Sequence, residues 1–169
     1  MTAYQLQGTL VELERGTVLL DTNVLVAYHS PREGLQHAAA VGYLNTVTAS
    51  AVTDAVLAEA WGKLTKDADA GYTKAERHLL RQKMLDWVSD PTNGVVLVPD
   101  APEALGSIST ICRERSLDVV DVMLADLAHR LGAENATLPP FPVASFDGDF
   151  YRLREFYDYE VIDPRSPPE

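Results

Sequence analysis

The chain has 169 residues, 46% hydrophobic and 23% charged, which is enough for one domain with a sizeable core and ordinary for a soluble globular protein. No apolar run reaches membrane-spanning length and no basic-then-apolar N-terminus resembles a signal peptide, so a cytoplasmic location without a membrane partner is expected. The formal net charge of −11 argues against coating nucleic acid by bulk electrostatics, while leaving room for a nuclease whose acidic site is bridged to phosphate by metal ions, or for a face that suits a basic partner.

Residues 1–16 read as an N-terminal extension of uncertain structure, in which Tyr4-Gln5-Leu6-Gln7 alternates like a strand and Glu14-Arg15-Gly16 looks like a turn. Val18-Leu19-Leu20 is an unbroken apolar run suited to a central parallel strand. It stops at Asp21, which would then stand at the carboxyl end of the strand, where open α/β sheets place their ligands. The plainer reading makes Asp21 a helix cap, a role that Thr22 or Asn23 can also fill. A short helix from Val24 to His29 closes at Ser30-Pro31, and a second, from Glu33 to Leu44, puts Leu35, Ala38, Ala39 and Gly42 on one side. Val47 to Ala51 is a short strand.

Thr53 opens a stronger helix with Val56, Leu57, Ala60, Trp61 and Leu64 on its apolar face. Thr73-Lys74-Ala75-Glu76 is a capping-box pattern, and the helix it starts runs to about Ser89, burying Leu80, Met84, Trp87 and Val88. Asp90-Pro91-Thr92-Asn93-Gly94 is a turn, followed by a buried strand, Val95 to Val98. A helix opening at Asp100 to Glu103 turns Leu105, Ile108, Ile111 and Cys112 inward. The single cysteine cannot form an internal disulfide and fits as a small core residue. A further helix spans about Asp118 to Leu131, ending near Gly132. Leu138-Pro139-Pro140-Phe141-Pro142 is a stiff linker into a strand, Val143 to Phe146, that ends at Asp147. Tyr159 to Ile162 is a last strand. Strands alternating with helices imply a single α/β domain with a mostly parallel central sheet, spanning residues 17–163, with 164–169 as a flexible tail.

Four carboxylates stand out, each with a plainer explanation beside it. Glu59 lies mid-helix, where it can form a surface ion pair with Lys63 at i+4, worth about 0.3–0.5 kcal/mol. Asp121 falls in the first turn of its helix if Asp118 is the cap, a favourable place for an acid, yet Ala125 and Ala128 leave a strip of small residues beside it. Asp147 closes an apolar strand as Asp21 does, and Asp149 follows it. If the four converge, repulsion raises some of their pKa values unless a cation neutralises them. Oxygen-only ligation suits Mg²⁺ or Mn²⁺ and disfavours zinc.

Leu20-Asp21-Thr22-Asn23-Val24-Leu25, Thr53 with Val56-Leu57-Ala58-Glu59, Val120-Asp121-Val122-Met123-Leu124-Ala125 and Ser145-Phe146-Asp147-Gly148-Asp149-Phe150, in that order and spacing, resemble a PIN domain from about Val18 to Ile162. The compact size is similar to the VapC-type toxins of bacterial toxin–antitoxin pairs. The resemblance implies a three-layer α/β/α sandwich and a metal-dependent ribonuclease acting on single-stranded RNA. It assigns Asp21, Glu59, Asp121 and Asp147 to the acidic quartet that holds Mg²⁺ or Mn²⁺, and Thr22, Asn23 and Ser145 to its support, with Asp118 and Asp149 as outer candidates. It further implies an antitoxin protein as partner and a homodimer pairing through residues 24–45. This chain departs from the pattern in carrying Ser145 where the family usually has Thr, in its N-terminal extension, and in a long helical region around residues 66–89.

Two rivals remain. An aspartyl phosphotransferase of the haloacid-dehalogenase kind needs a general acid two positions after the first Asp, and Asn23 cannot donate a carboxylic proton. A PIN-like RNA-binding or protein-interaction module without activity is the other.

Overall fold

The computed structural model describes residues 2–6, 9–14, 16–66, 71–99, 105–133 and 140–166. The N-terminal segment is an antiparallel hairpin in which β1 (Thr2–Leu6) pairs with β2 (Thr9–Leu13), Thr2 opposite Leu13 and Leu6 opposite Thr9. Leu13 is fully buried and joins the main core, so the hairpin is tied to the body at its second strand. The turn expected at Glu14–Gly16 follows. Gly16 takes φ +85, and both the amide and the hydroxyl of Thr17 donate to the Glu14 carbonyl, at 3.1 and 2.7 Å.

β3 (Val18–Leu20) is buried on every residue, as an apolar strand covered on both faces must be. α1 (Thr22–His29) and α2 (Leu35–Leu44) follow, then β4 (Ser50–Thr53), α3 (Asp54–Lys66), α4 (Lys74–Ser89), β5 (Val95–Val98), α5 (Leu105–Arg115), α6 (Val119–Ala133), β6 (Pro142–Ala144), α7 (Asp149–Leu153) and β7 (Glu160–Ile162). β3 to β7 form one all-parallel sheet in the order β5-β4-β3-β6-β7, and the fold is an α/β/α sandwich. Helices α1 to α4 contact one another, α6 contacts α5 and α7, and α3 also meets α6. The chain steps outward from β3 in one direction through β4 and β5, then returns to the other side of β3 for β6 and β7. The point of reversal lies between the carboxyl ends of β3 and β6, the place where such sheets leave a crevice.

Several elements differ in detail from the sequence expectation. β4 lies three residues later than Val47, because backbone pairing rather than side-chain type selects the strand: Ser50 and Thr53 are polar yet buried, opposite Val95 and Val98. β5 is not a buried strand but an edge, hydrogen-bonded on one side only, and Leu97 is exposed. β6 starts one residue earlier, since Pro142 is tolerated as a first strand residue, and it ends at Ala144, with the Ser145 amide still donating to the Ile162 carbonyl of β7 at 3.0 Å. In α2 the inward residues are Ala40 and Tyr43, whereas Leu35 is 88% exposed. A 3-10 turn at Pro31–Glu33 and Gly34 at φ +60 precede the helix and set its rotation, which no periodicity within it reveals. Trp87 and Cys112 are only partly buried, packed against the core rim.

Other expectations are met. Thr73 Oγ1 accepts from the Glu76 amide at 3.3 Å while Glu76 Oε2 accepts from the Thr73 amide at 2.7 Å, a complete capping box. Gly94 takes φ +63 in the turn before β5, and a Cβ there would meet the Thr48 carbonyl at 2.9 Å, so only glycine fits. The helix start expected at Asp100–Glu103 and the Leu138-Pro139 part of the linker lie outside the described residues. Of the expected tail, residues 164–166 are described. Pro164 is buried, and Arg165 pairs with Asp163 at 2.7 Å while donating to the Phe146 carbonyl at 3.2 Å.

Candidate active site

The β3–α1 junction turns at Asp21. Its amide donates to the Ala144 carbonyl at 3.0 Å, and its own carbonyl accepts from the Val24 and Leu25 amides, so the residue stands at the cap position of α1. Its side chain nevertheless makes no capping hydrogen bond. The plainer explanation of this carboxylate is therefore removed. Asp21 is 2% exposed, and Oδ2 accepts instead from Ser145 Oγ at 2.7 Å. Burial pushes its carboxyl up to about 6, against the downward pull of the Ser145 hydroxyl, the Thr22 amide and Lys63.

Ser145 is the hub between the two junctions. Its Oγ also accepts from the Asp147 amide at 2.9 Å and from Asn23 Nδ2 at 3.3 Å, and Asn23 Oδ1 accepts from the Phe146 amide at 3.1 Å. These bonds lace the start of α1 to the end of β6 and turn Asp147 out toward solvent. Asp147 Oδ1 accepts from the Asp149 amide at 2.9 Å, and Asp149 pairs with Arg152 at 2.7 Å within the short α7.

Glu59, on α3, serves both readings given to it. Oε1 lies 3.0 Å from Lys63 Nζ, the expected i, i+4 pair. Oε2 accepts from the buried Thr22 hydroxyl at 2.6 Å, which ties α3 to the first turn of α1. On α6, Asp118 Oδ1 accepts from the Val120 amide at 2.8 Å as a helix cap, leaving Asp121 in the first turn. Asp121 is not held there by the helix end alone. Burial pushes its carboxyl up to about 8, and the charges of Asp21, Asp118, Asp147 and Glu59 push in the same direction. Ala125 and Ala128 below it are fully buried.

The structure thus brings Asp21, Asp147, Asn23 and Ser145 into one hydrogen-bonded group, joins Glu59 to it through Thr22, and sets Asp121 within the field of all four acids around it. Among the described residues, no three Asp, Glu, His or Cys side chains close around a point as they would around an ion. The donor set still fits a hard divalent cation: all its members are oxygens, and two of the carboxyls are held well above their ordinary range, by burial first and by neighbouring acids second. Lys63 is the cation that enters this group. Asp21 and Asp121, like Glu59, favour its charged form. An i, i+4 spacing from Glu59 signals the pair in sequence but not its reach to the other acids. Arg165 also escaped the sequence reading, being local in sequence only to Asp163 and not to Phe146.

An open apolar groove on α5 and the start of α6, lined by Ile108, Ser109, Cys112, Arg113 and Val119, contains none of these carboxylates. His29 lies apart too, in edge-to-face contact with both Tyr28 and Trp87, with Nε2 buried and unpartnered. No helix among the described residues is long and apolar enough to cross a membrane.

A family model described as PIN domain matches residues 18–155, starting at the first residue of β3 and leaving the hairpin outside. Among solved structures, the chain is similar to one from "FitAB bound to IR36 DNA fragment", with a TM-score of 0.56 at 16% identity, over 90% of this chain and 98% of that one. It is similar as well to PAE2754 from Pyrobaculum aerophilum, with a TM-score of 0.50 at 17% identity, over 87% of this chain and 86% of that one. At these identities the likeness is one of fold. Comparison with curated proteins gives no match.

Proposed function

This chain belongs to the PIN domain family, whose members are generally metal-dependent nucleases, and on that premise we propose that it is a metal-dependent endoribonuclease cleaving single-stranded RNA. One observation carries the reading: a carboxylate buried at the carboxyl end of the central strand, held by a serine from the neighbouring strand end, beside a second carboxyl that burial, and then the surrounding acids, keep well above its ordinary range. A purely structural role explains neither the burial of Asp21 without a cap bond nor the crowding of like charges on Asp121.

In this reading Asp21, Asp121 and Asp147 hold Mg²⁺ or Mn²⁺ directly or through water, and Glu59 ligates or orients from the α3 side. The chemistry such an ion supplies is charge neutralisation at the phosphodiester and acidification of water. The remaining work belongs to the chain. Ser145 fixes the Asp21 carboxylate and the Asp147 backbone together, Asn23 holds the β6 end in register with α1, and Thr22 sets the rotamer of Glu59. Asp118 and Asp149 shape the ends of α6 and α7 around the acids, as outer members.

The antitoxin partner, the homodimer and the cytoplasmic setting are parts of the same proposal. The similar FitAB chain is described with a DNA fragment. For this chain, with a net charge of −11, we assign any contact with DNA to a basic partner protein.

A second reading, an inactive PIN-like binding module, is favoured by the engagement of both Glu59 oxygens by Thr22 and Lys63. Cleavage of a mixed-sequence RNA in Mn²⁺, abolished by chelator and by Asp121→Asn, supports the enzyme. RNA or partner binding with no cleavage at any metal concentration supports the module.

A further inference from the structure

Lys63 occupies the position of a surface partner for Glu59 but has the surroundings of a site residue. Its ammonium is 3.0 Å from Glu59 Oε1 while the Thr22 hydroxyl takes the other oxygen at 2.6 Å, so the carboxylate is fully engaged. One monovalent cation is thus paired with a carboxylate that the Thr22 hydroxyl ties to the start of α1, beside the end of β3.

We propose that Lys63 is an internal counter-cation of this cluster: in the metal-free protein its ammonium takes, at Glu59, the place of a divalent ion and competes with that ion for the carboxylate. The inference rests on the metal-dependent reading above. The Lys63 side chain is half exposed on a flexible stem, so its pair with Glu59 is of the weak, solvent-screened kind that a doubly charged ion can displace. Displacement frees one Glu59 oxygen while Thr22 keeps the other in place. The pair thus sets the metal concentration at which the site loads and relieves the cluster's self-repulsion until then.

The test uses the full chain as wild type, Lys63→Met, Lys63→Gln and Lys63→Arg. Mn²⁺ affinity is measured by calorimetry and melting temperature in chelator. Met and Gln remove the charge, so Mn²⁺ should bind about tenfold more tightly to both variants, from the loss of one competing charge at close range. Both should melt lower than wild type in chelator, and Lys63→Arg should stay close to wild type in both measurements. A surface pair of no further consequence leaves Mn²⁺ affinity unchanged. Wild-type protein that binds Mn²⁺ alongside charge-removed variants that bind it equally or more weakly overturns the inference alone. Wild-type protein that binds no Mn²⁺ overturns the metal-dependent reading and this inference with it.

Discussion

Ser145 and Asp21, 124 positions apart in the chain, share a 2.7 Å hydrogen bond between the carboxyl ends of two adjacent parallel strands. Both side chains are almost fully buried, and the serine oxygen also receives the Asp147 amide. Ser145→Ala leaves a buried carboxylate with one donor fewer and the Asp147 turn without its acceptor. A stability loss of about 1–3 kcal/mol is expected, with RNA cleavage reduced about 10–100-fold. Ser145→Thr, which keeps the hydroxyl, should retain most of both. Denaturant melts and cleavage rates check this, and an alanine variant equal to wild type in both would remove Ser145 from the site.

Asp121→Asn keeps the size of the side chain and removes one of the crowded charges. Cleavage should fall by orders of magnitude, while the metal-free protein should melt higher than wild type, because the cost of burying a carboxyl at this position, and its repulsion by the other acids, is relieved. With Mg²⁺ bound only by the native state at a dissociation constant of roughly 1 mM, about 10 mM adds about 1.4 kcal/mol to the wild type. That is a rise of roughly 3–6 °C for a domain of this size, and the variant should gain less. Melts in chelator and in Mg²⁺ at matched ionic strength decide it. A variant that melts lower and responds to Mg²⁺ as wild type does would separate Asp121 from the other acids.

The pH dependence of the metal-free protein has a definite sign. Asp121 is raised to about 8 and Asp21 to about 6, from an ordinary 3.8. The folded protein thus keeps protons that the unfolded chain has released. This contribution is fully present below pH 3.8 and is lost as pH rises through about 6 and then about 8. Going from about pH 8.5 to about pH 7 should therefore raise the melting temperature, by an amount worth about 1 kcal/mol after allowance for the solvent-open side of Asp121. Asp121→Asn should abolish most of the rise. A wild-type melting temperature that is flat or falls on acidification through this window contradicts the shared field.

His29 works in the opposite sense. Burial, with Lys83 and His37 nearby, lowers its imidazole to about 4 from 6.5, so its contribution is present above pH 6.5 and is lost as pH falls toward 4. Its Nε2 is buried without a partner, and the ring packs edge-to-face on Tyr28 and Trp87. His29→Phe removes both liabilities while keeping an aromatic edge in the cluster. At about pH 5 it should stabilise the protein by about 1–2 kcal/mol, with a smaller gain at neutral pH. Thermal melts at the two pH values test this, and a loss at both would show that the imidazole makes a contact the phenyl ring cannot replace.

A homodimer predicts a light-scattering mass of twice 18.5 kDa across working concentrations. Within residues 24–45 the structure turns Val24, Leu25, Ala40 and Tyr43 into the core, leaving Leu35 as the prominent apolar residue outside. Leu35→Asp should therefore weaken the association without lowering the melting temperature of the monomer. A constant monomer mass in the wild type removes the dimer from the proposal.

Much of this architecture is legible from local pattern. The apolar run ending at Asp21, the capping box at Thr73–Glu76 and the turn at Asp90–Gly94 depend on neighbours within a few residues, and the structure reproduces them. Element edges are less legible where hydrogen bonding outranks side-chain type. Ser50 and Thr53 are polar, yet pairing with β5 draws them into a buried strand. The inward face of α2 is set by the 3-10 turn and glycine ahead of it, so Leu35 faces solvent despite its place in an apolar pattern.

From β3 onward the sequence by itself determined the order of strands and helices, the position of each acid on its element, and the Glu59–Lys63 spacing, because periodicity, caps and turns act over one or two turns of chain; the second strand of the N-terminal hairpin was not legible in it. Only the tertiary structure decided that Asp21 is bonded by Ser145 rather than capping α1, that Thr22 rather than solvent takes Glu59, and that Lys63 stands within the field of three acids. The physical reason is that these partners come from different strand ends and helices. Their meeting depends on which strand hydrogen-bonds beside β3 and how α3 and α6 settle on the sheet. Those choices are made by burial and pairing over the whole core, and no window of sequence contains them.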